Sequence, residues 1–229
     1  MNSIPRISRL TAAALLVAAT MVTSHAEAAF VTTNEAAMDG IFSQLSFGNR
    51  PVDIMFNPTI VHNDANLLNI NTPAKLNSLF ALFGPSPTVF AYFVDTVDEC
   101  GGFNVGFVGC GSTPGNDFVV ESVFASGALG AELMAHELGH NLNLGHTPSV
   151  GNLMDPTING NTSLTQNQVD TILSSPLVQG AVGTAEFIKI TQVLITGTPP
   201  VVPLPSAAGL GLALLGALFV QKMRSRRKA

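Results

Sequence analysis

An α+β domain is what the sequence predicts, and three observations carry the prediction. Hydrophobic residues make up 46% of the 229-residue chain, too many for a disordered one. Helix-like and strand-like runs are mixed along its middle, with no internal repeat. The charges are partitioned: seven of the ten Lys and Arg lie at the two ends, while all fifteen Asp and Glu lie between Glu27 and Glu186. Counted to Lys189, the middle sets three bases (Arg50, Lys75, Lys189) against fifteen acids, a net charge of −12. A field of that sign repels phosphates and excludes nucleic acid as a main partner. Part of the apolar content sits at the ends, so the chain is not a polytopic membrane protein either.

The elements follow in order. Asn34 to Leu45 reads as a helix, with Asn34 placed to cap it and Ala37, Ile41, Phe42 and Leu45 on one face. Val52 to Phe56 is a short strand. Thr72 to Phe83 is a second helix, with Thr72 as cap, Pro73 in the first turn and Gly84-Pro85 ending it. Thr88 to Val94 is β-branched and aromatic and reads as a buried strand. Phe103 to Val108 and Phe118 to Val123 are further strand candidates. Gly127 to Met134 begins a helix of small and apolar residues, and Leu164 to Leu173 closes the domain with another. Cys100 and Cys110 are the only cysteines. In an exported chain they predict a disulfide around a glycine-rich loop; as thiols they would need further ligands to bind metal.

Residues 1–28 have the parts of a secretory signal: Arg6 and Arg9, the apolar stretch Leu10 to Val22, then small residues that offer cleavage after Ala26 or after Ala28. The apolar stretch is short for a membrane anchor, the alternative reading. Residues 199–229 are organised as well. Pro199-Pro200 and Val202-Pro203-Leu204-Pro205 precede the apolar run Ala207 to Val220, and five bases follow among the last eight residues. A helix over that run is short of a hydrocarbon core, though Lys222 can snorkel, so it reads as a weak or transient anchor with its basic end cytoplasmic. The order resembles the PEP-CTERM sorting signal of Gram-negative bacteria, with Leu204 where the family has glutamate. The resemblance implies signal peptidase and an exosortase as processing partners, and delivery to the cell envelope, outer surface or medium. An ordinary tail anchor is the alternative. The domain between spans 29–198.

Three of five histidines fall within eleven residues, in His136-Glu137-Leu138-Gly139-His140-Asn141-Leu142-Asn143-Leu144-Gly145-His146. On a helix His136 and His140 stand one turn apart on one face, where two imidazoles can bind one Zn²⁺. Glu137 lies about 100° around the helix and can reach a water on that metal. His146 would rotate away on a continuous helix, so the chain must turn sharply after His140. Asn143 and Gly145 tolerate the left-handed backbone for that turn. The segment resembles the extended zinc motif of metzincin metallopeptidases, with Asn143 in place of a glycine. Asn152-Leu153-Met154-Asp155-Pro156 resembles their methionine turn.

The resemblance implies a zincin fold, with a mixed sheet and two helices before the active-site helix and a small C-terminal subdomain after it. It implies one catalytic zinc on His136, His140 and His146, with Glu137 as general base and Met154 as support. It implies a protein or peptide substrate laid along an edge strand, for which Phe103 to Val108 is the candidate. Some relatives carry a tyrosine two residues past the methionine; here that position is Pro156, and the only tyrosine is Tyr92. Glu132, one turn before His136, reads as an exposed helix acid, with support of His136 as the second option. His62 reads as a loop residue. Asp95, Asp98, Glu99 and Asp117 offer oxygens of the kind calcium takes, without EF-hand spacing. Two rivals to an exported endopeptidase remain: an envelope or matrix protein that uses zinc structurally, and a peptidase whose third ligand is a late glutamate, for which Glu186 is the only candidate.

Overall fold

A computed structural model describes residues 31–197; the readings of 1–28 and 199–229 lie outside the described residues. The helices are α1 (Glu35–Phe42), α2 (Pro73–Phe80), α3 (Ser122–Ala125), α4 (Gly130–Asn141) and α5 (Gln166–Leu173). The strands are β1 (Val52–Asn63), β2 (Asn69–Ile70), β3 (Val89–Val94), β4 (Thr96–Val97), β5 (Gly109–Gly111), β6 (Asp117–Glu121), β7 (Gln179–Ala181) and β8 (Ala185–Thr196). One mixed sheet runs β1-β8-β3-β6-β5, with β7 paired antiparallel to the start of β8. β1, β8, β3 and β6 are parallel, and β5 lies antiparallel to β6 at the end. A mixed α+β domain is therefore what the chain forms. Among the described residues no helix is long and apolar enough to cross a membrane.

Strand alternation builds two cores. Val89, Ala91 and Phe93 of β3 face one way, with Phe118 and Val120 of β6, and pack with Met38 and Phe42 of α1, Leu133 and Leu138 of α4 and Ile172 of α5. Phe90, Tyr92 and Val94 face the other way, with Val119, Val193 and Ile195, and meet Leu79 of α2. All six residues of β3 are buried, as expected of a strand covered on both faces.

Several boundaries differ from the sequence reading. Asn34 does precede α1, but in a left-handed conformation (φ 49°) and without capping it. Its amide instead donates to the Ala125 carbonyl at 2.7 Å, a tertiary bond that sequence does not reveal. β1 runs on to Asn63, seven residues past the expected end. It is an edge strand, and Pro58 sits where the register shifts between Asn57 and Ile60, a place where a missing N–H is harmless. His62 consequently lies on this strand, beside Ile195, and not in a loop. α2 stops three residues early, though Thr72 caps it as expected, its Oγ1 accepting from the Lys75 N–H at 3.3 Å.

The largest correction concerns the C-terminal part. The chain does not end there in a separate small subdomain. After α5 it returns as β8, inserts between β1 and β3, and pairs in parallel with both. Ile188, Ile190, Val193 and Ile195 are fully buried on it, so the last described strand lies inside the sheet between β1 and β3.

Candidate metal centre

α4 is buried along nearly its whole length, so its polar side chains must find partners inside the fold. Asn141 does so by donating to the Asp117 carbonyl at 2.8 Å and the Ser112 carbonyl at 3.0 Å, which ties the end of α4 to the β5–β6 turn. The helix then ends as the sequence required, in part. Asn143 adopts φ 70°, the Leu144 N–H bonds back to the Gly139 carbonyl, and the Asn143 N–H to that of His140, both at 2.9 Å. This is a Schellman-type cap with asparagine in the left-handed position. Gly145 has no left-handed backbone; Asn143 alone makes the turn.

The turn returns His146 to the helix face. The Nε2 atoms of His136 and His140 each stand 3.2 Å from that of His146. Nitrogens about 2.05 Å from one ion in tetrahedral directions would stand about 3.3 Å apart, so the set fits a metal. The tautomers fit too. His136 Nδ1 donates to the Leu153 carbonyl at 2.7 Å, and His140 Nδ1 to the Leu144 carbonyl at 2.8 Å. A carbonyl only accepts, so the proton is on Nδ1 and the Nε2 lone pairs face the common point. Burial holds His136 down to about 4 and also lowers His140, which keeps both rings neutral and able to ligate. Among the described residues this is the only grouping of His, Cys, Asp and Glu that could hold a metal ion. The four acids considered for calcium form no such group: Asp117 accepts from the Tyr92 hydroxyl at 2.9 Å, and Glu99 is buried beside the Phe103 bridge.

Met154 lies beneath, fully buried, in a turn closed by the Asn152 side chain accepting from the Met154 N–H at 2.9 Å. A Cβ on Gly139 would come to 2.5 Å from the Met154 sulfur, so glycine lets the helix settle on that side chain without displacing it. The same turn supplies the Leu153 carbonyl to His136, and the Met154 carbonyl accepts from the Thr147 N–H at 2.9 Å, next to His146. One turn therefore braces two of the three histidines.

Residues 87–147, from just before β3 to just after His146, match the sequence family described as metallo-peptidase family M12B, reprolysin-like. No curated protein matches the chain by sequence. The family match and the three-histidine cluster together support a zinc metallopeptidase.

Glu137 and the three histidines line one cleft of about 470 Å³ with Phe107, Val108, Gly109, Phe124, Leu129, Leu133, Pro156 and Ile158. Burial pushes the Glu137 carboxyl up to about 8, opposed by the Gly111 N–H. The helix reaches β5 closely: a Cβ on Gly109 would meet Glu137 Oε1 at 2.5 Å, and one on Gly111 the Glu137 carbonyl at 2.6 Å. Between these glycines Cys110 turns the other way and is joined to Cys100, with Cα atoms 5.6 Å apart, which gives the expected disulfide. Phe103 to Val108 is not the edge strand expected. Phe103 and Val105 are exposed there and only an isolated bridge forms; the edge is β5, which starts right after.

Three more expectations resolve. Tyr92 is buried in the core beside α2 and does not line the cleft, where Pro156 stands instead. Glu186 is ion-paired with Arg50, which holds its carboxyl below the ordinary value, and it takes no part in the histidine cluster. Glu132 is buried rather than exposed, and bonds to the backbone of 159–161, not to His136. Its signal was present in the sequence: Glu132 is the one acid in the otherwise small and apolar run Gly127 to Met134.

Proposed function

We propose that the chain is an exported zinc-dependent endopeptidase of the metzincin type, with Glu137 as general base. The observation that carries the reading is the convergence of three imidazole nitrogens beside a buried carboxyl in one open cleft. Zinc is the ion for a set of three imidazoles, and three protein ligands leave a position for water, whereas structural sites are closed by four. Bound there, zinc would supply a Lewis acid that acidifies a water and polarises a peptide carbonyl.

This chain's residues do the rest. Leu153 and Leu144 hold the imidazoles in the ligating tautomer. Glu137, in the same cleft, takes a proton from the attacking water and hands it to the departing amine. β5, the end strand, offers its backbone to an extended peptide, and the glycines at 109 and 111 keep it close to Glu137. The disulfide suits an oxidising compartment, which supports export through 1–28. Sorting through 199–229, with signal peptidase and an exosortase-type enzyme as processing partners in a Gram-negative envelope, belongs to the same proposal and rests on the sequence.

The test is metal analysis of the purified processed protein, then incubation with an unfolded protein with and without chelator. One equivalent of zinc is expected, with cleavage lost to the chelator and restored by zinc. Glu137→Gln should keep the metal while kcat falls by about 10²–10⁴. Bound zinc without cleavage of varied peptides would favour the envelope or matrix protein instead. Mass spectrometry of the protein from fractionated cells checks export: intact residues 1–28 in the cytoplasmic fraction would remove it.

A further inference from the structure

Glu132 is among the most buried acids of the chain, on the first turn of α4, and neither the metal nor Glu137 uses it. Its carboxylate accepts three backbone N–H groups from one short segment: Asn159 at 3.0 Å and Asn161 at 3.1 Å on Oε1, and Gly160 at 2.6 Å on Oε2. Charge-assisted bonds of this kind are stronger than neutral ones, and three on one carboxylate fix both partners. The three residues just before that segment, Pro156, Thr157 and Ile158, line the cleft together with Leu129 and Leu133 of the α4 side. Beyond the clamp lies a second cavity of about 370 Å³, lined by Glu132, Gly160, Ile41, Gln44 and Leu129. Leu129 borders both spaces, and Glu132 and Gly160 border only the second. The clamp therefore stands at the partition between the cleft and the space behind it.

We propose that Glu132 is a positioning residue for substrate selection: by closing segment 156–161 onto α4, it sets the depth of the apolar pocket beside the histidines and limits the side chain accepted next to the cut bond. The inference rests on the peptidase reading for its substrate and on the Glu132 bonds for its device. Loss of the clamp would let the wall move toward the second cavity, deepening the pocket without touching the metal or Glu137. Glutamine at 132 presents an NH₂ where an oxygen accepts, so it opposes at least one of the three N–H donors. Gly160 has φ 92°, so Gly160→Ala strains the clamp from the loop side.

The experiment compares the zinc-loaded wild type, Glu132→Gln and Gly160→Ala on fluorogenic peptides carrying Ala, Leu, Phe or Trp on either side of the cut bond. Both variants are expected to raise kcat/KM for the Trp peptide relative to the Leu peptide by about five- to tenfold, through KM, a range set by how little an apolar pocket discriminates. Their zinc content and kcat on the Leu peptide should stay within about twofold of wild type. Hydrogen exchange, which needs no turnover, should show the 159–161 amides exchanging at least about tenfold faster in Glu132→Gln. An equal fall for every peptide, or an unchanged selectivity, would overturn the proposal even with a lowered Tm, because a purely structural clamp predicts that result. Unchanged exchange at 159–161 would overturn it as well. A wild type that cleaves none of the peptides would overturn the peptidase reading, and the selectivity role with it.

Discussion

The two faces of the sheet bury similar apolar side chains and differ in what they do with buried polar ones. On the face toward α2, Asp117 accepts from the Tyr92 hydroxyl at 2.9 Å and Glu121 from the Val97 N–H at 2.8 Å, so both acids are closed on partners inside the fold. On the face toward α4, His136 and His140 give only Nδ1 to the interior and keep Nε2 for the common point with His146, while Glu137 lines the cleft. Desolvating a polar group is costly on either face. Where all its bonding atoms turn inward, the group serves the architecture; where one reactive atom is left facing a cleft, it serves chemistry. Glu132 lies between these cases, inward in its bonds but fastened to the segment that walls the cleft.

The comparison breaks first if the α4 face does not depend on its outward atoms. His140→Ala removes one nitrogen of three and should abolish metal retention through dialysis and all measurable turnover. Stoichiometric metal in that variant would mean that the cluster is not the site. The α2 face should respond in the opposite way. Leu79 is fully buried there, so Leu79→Ala should cost about 2–5 kcal/mol in urea unfolding and leave the activity of the folded protein unchanged. Gly139→Ala is smaller in energy, about 1–3 kcal/mol for overpacking against the Met154 sulfur. Unlike Leu79→Ala it should also weaken metal binding, because the turn it displaces carries the carbonyl that orients His136. Unfolding curves and metal titrations side by side separate the two; equal metal affinity in both variants would remove the special role of the methionine turn.

How much of this was legible in the chain follows from the range of the interactions. His136, Glu137, His140 and the left-handed turn at Asn143 are spaced by helix geometry within eleven residues, so the periodicity placed them. The buried strand β3 was legible from its β-branched and aromatic run. Glu132 was misplaced because its partners lie 27 to 29 residues on. Gly109 and Gly111 were passed over because the contact that crowds a side chain there comes from α4, which follows one strand and one short helix later. The stretch around Glu186 reads as strand-like, but its place in the sheet does not show for the same reason. Alternation marks a strand, but that it inserts between β1 and β3 is decided by pairings more than a hundred residues apart.

The finest test concerns the Tyr92–Asp117 hydroxyl–carboxyl pair of the α2 face. Burial raises the Asp117 carboxyl to about 6 from 3.8, with the Tyr92 hydroxyl pulling it part of the way back. A raised folded value means that between pH of about 4 and 6 the unfolded chain has released a proton that the folded one retains. Stability from this group is therefore fully present below about 4, falls as pH rises to about 6, and is flat above. The loss is about 1–2 kcal/mol once solvent near the strand edge is allowed for. Asp117→Asn keeps an oxygen to accept from Tyr92 and cannot ionise. The difference in unfolding free energy between variant and wild type should thus grow in favour of the variant from pH 4 to 6, then level off, with metal content and turnover unaltered. Taking the difference removes the contributions of other acids, Glu121 and Glu137 among them. A difference that does not change with pH would show Asp117 to be solvated, and the α2 face would lose its claim to closed internal polarity.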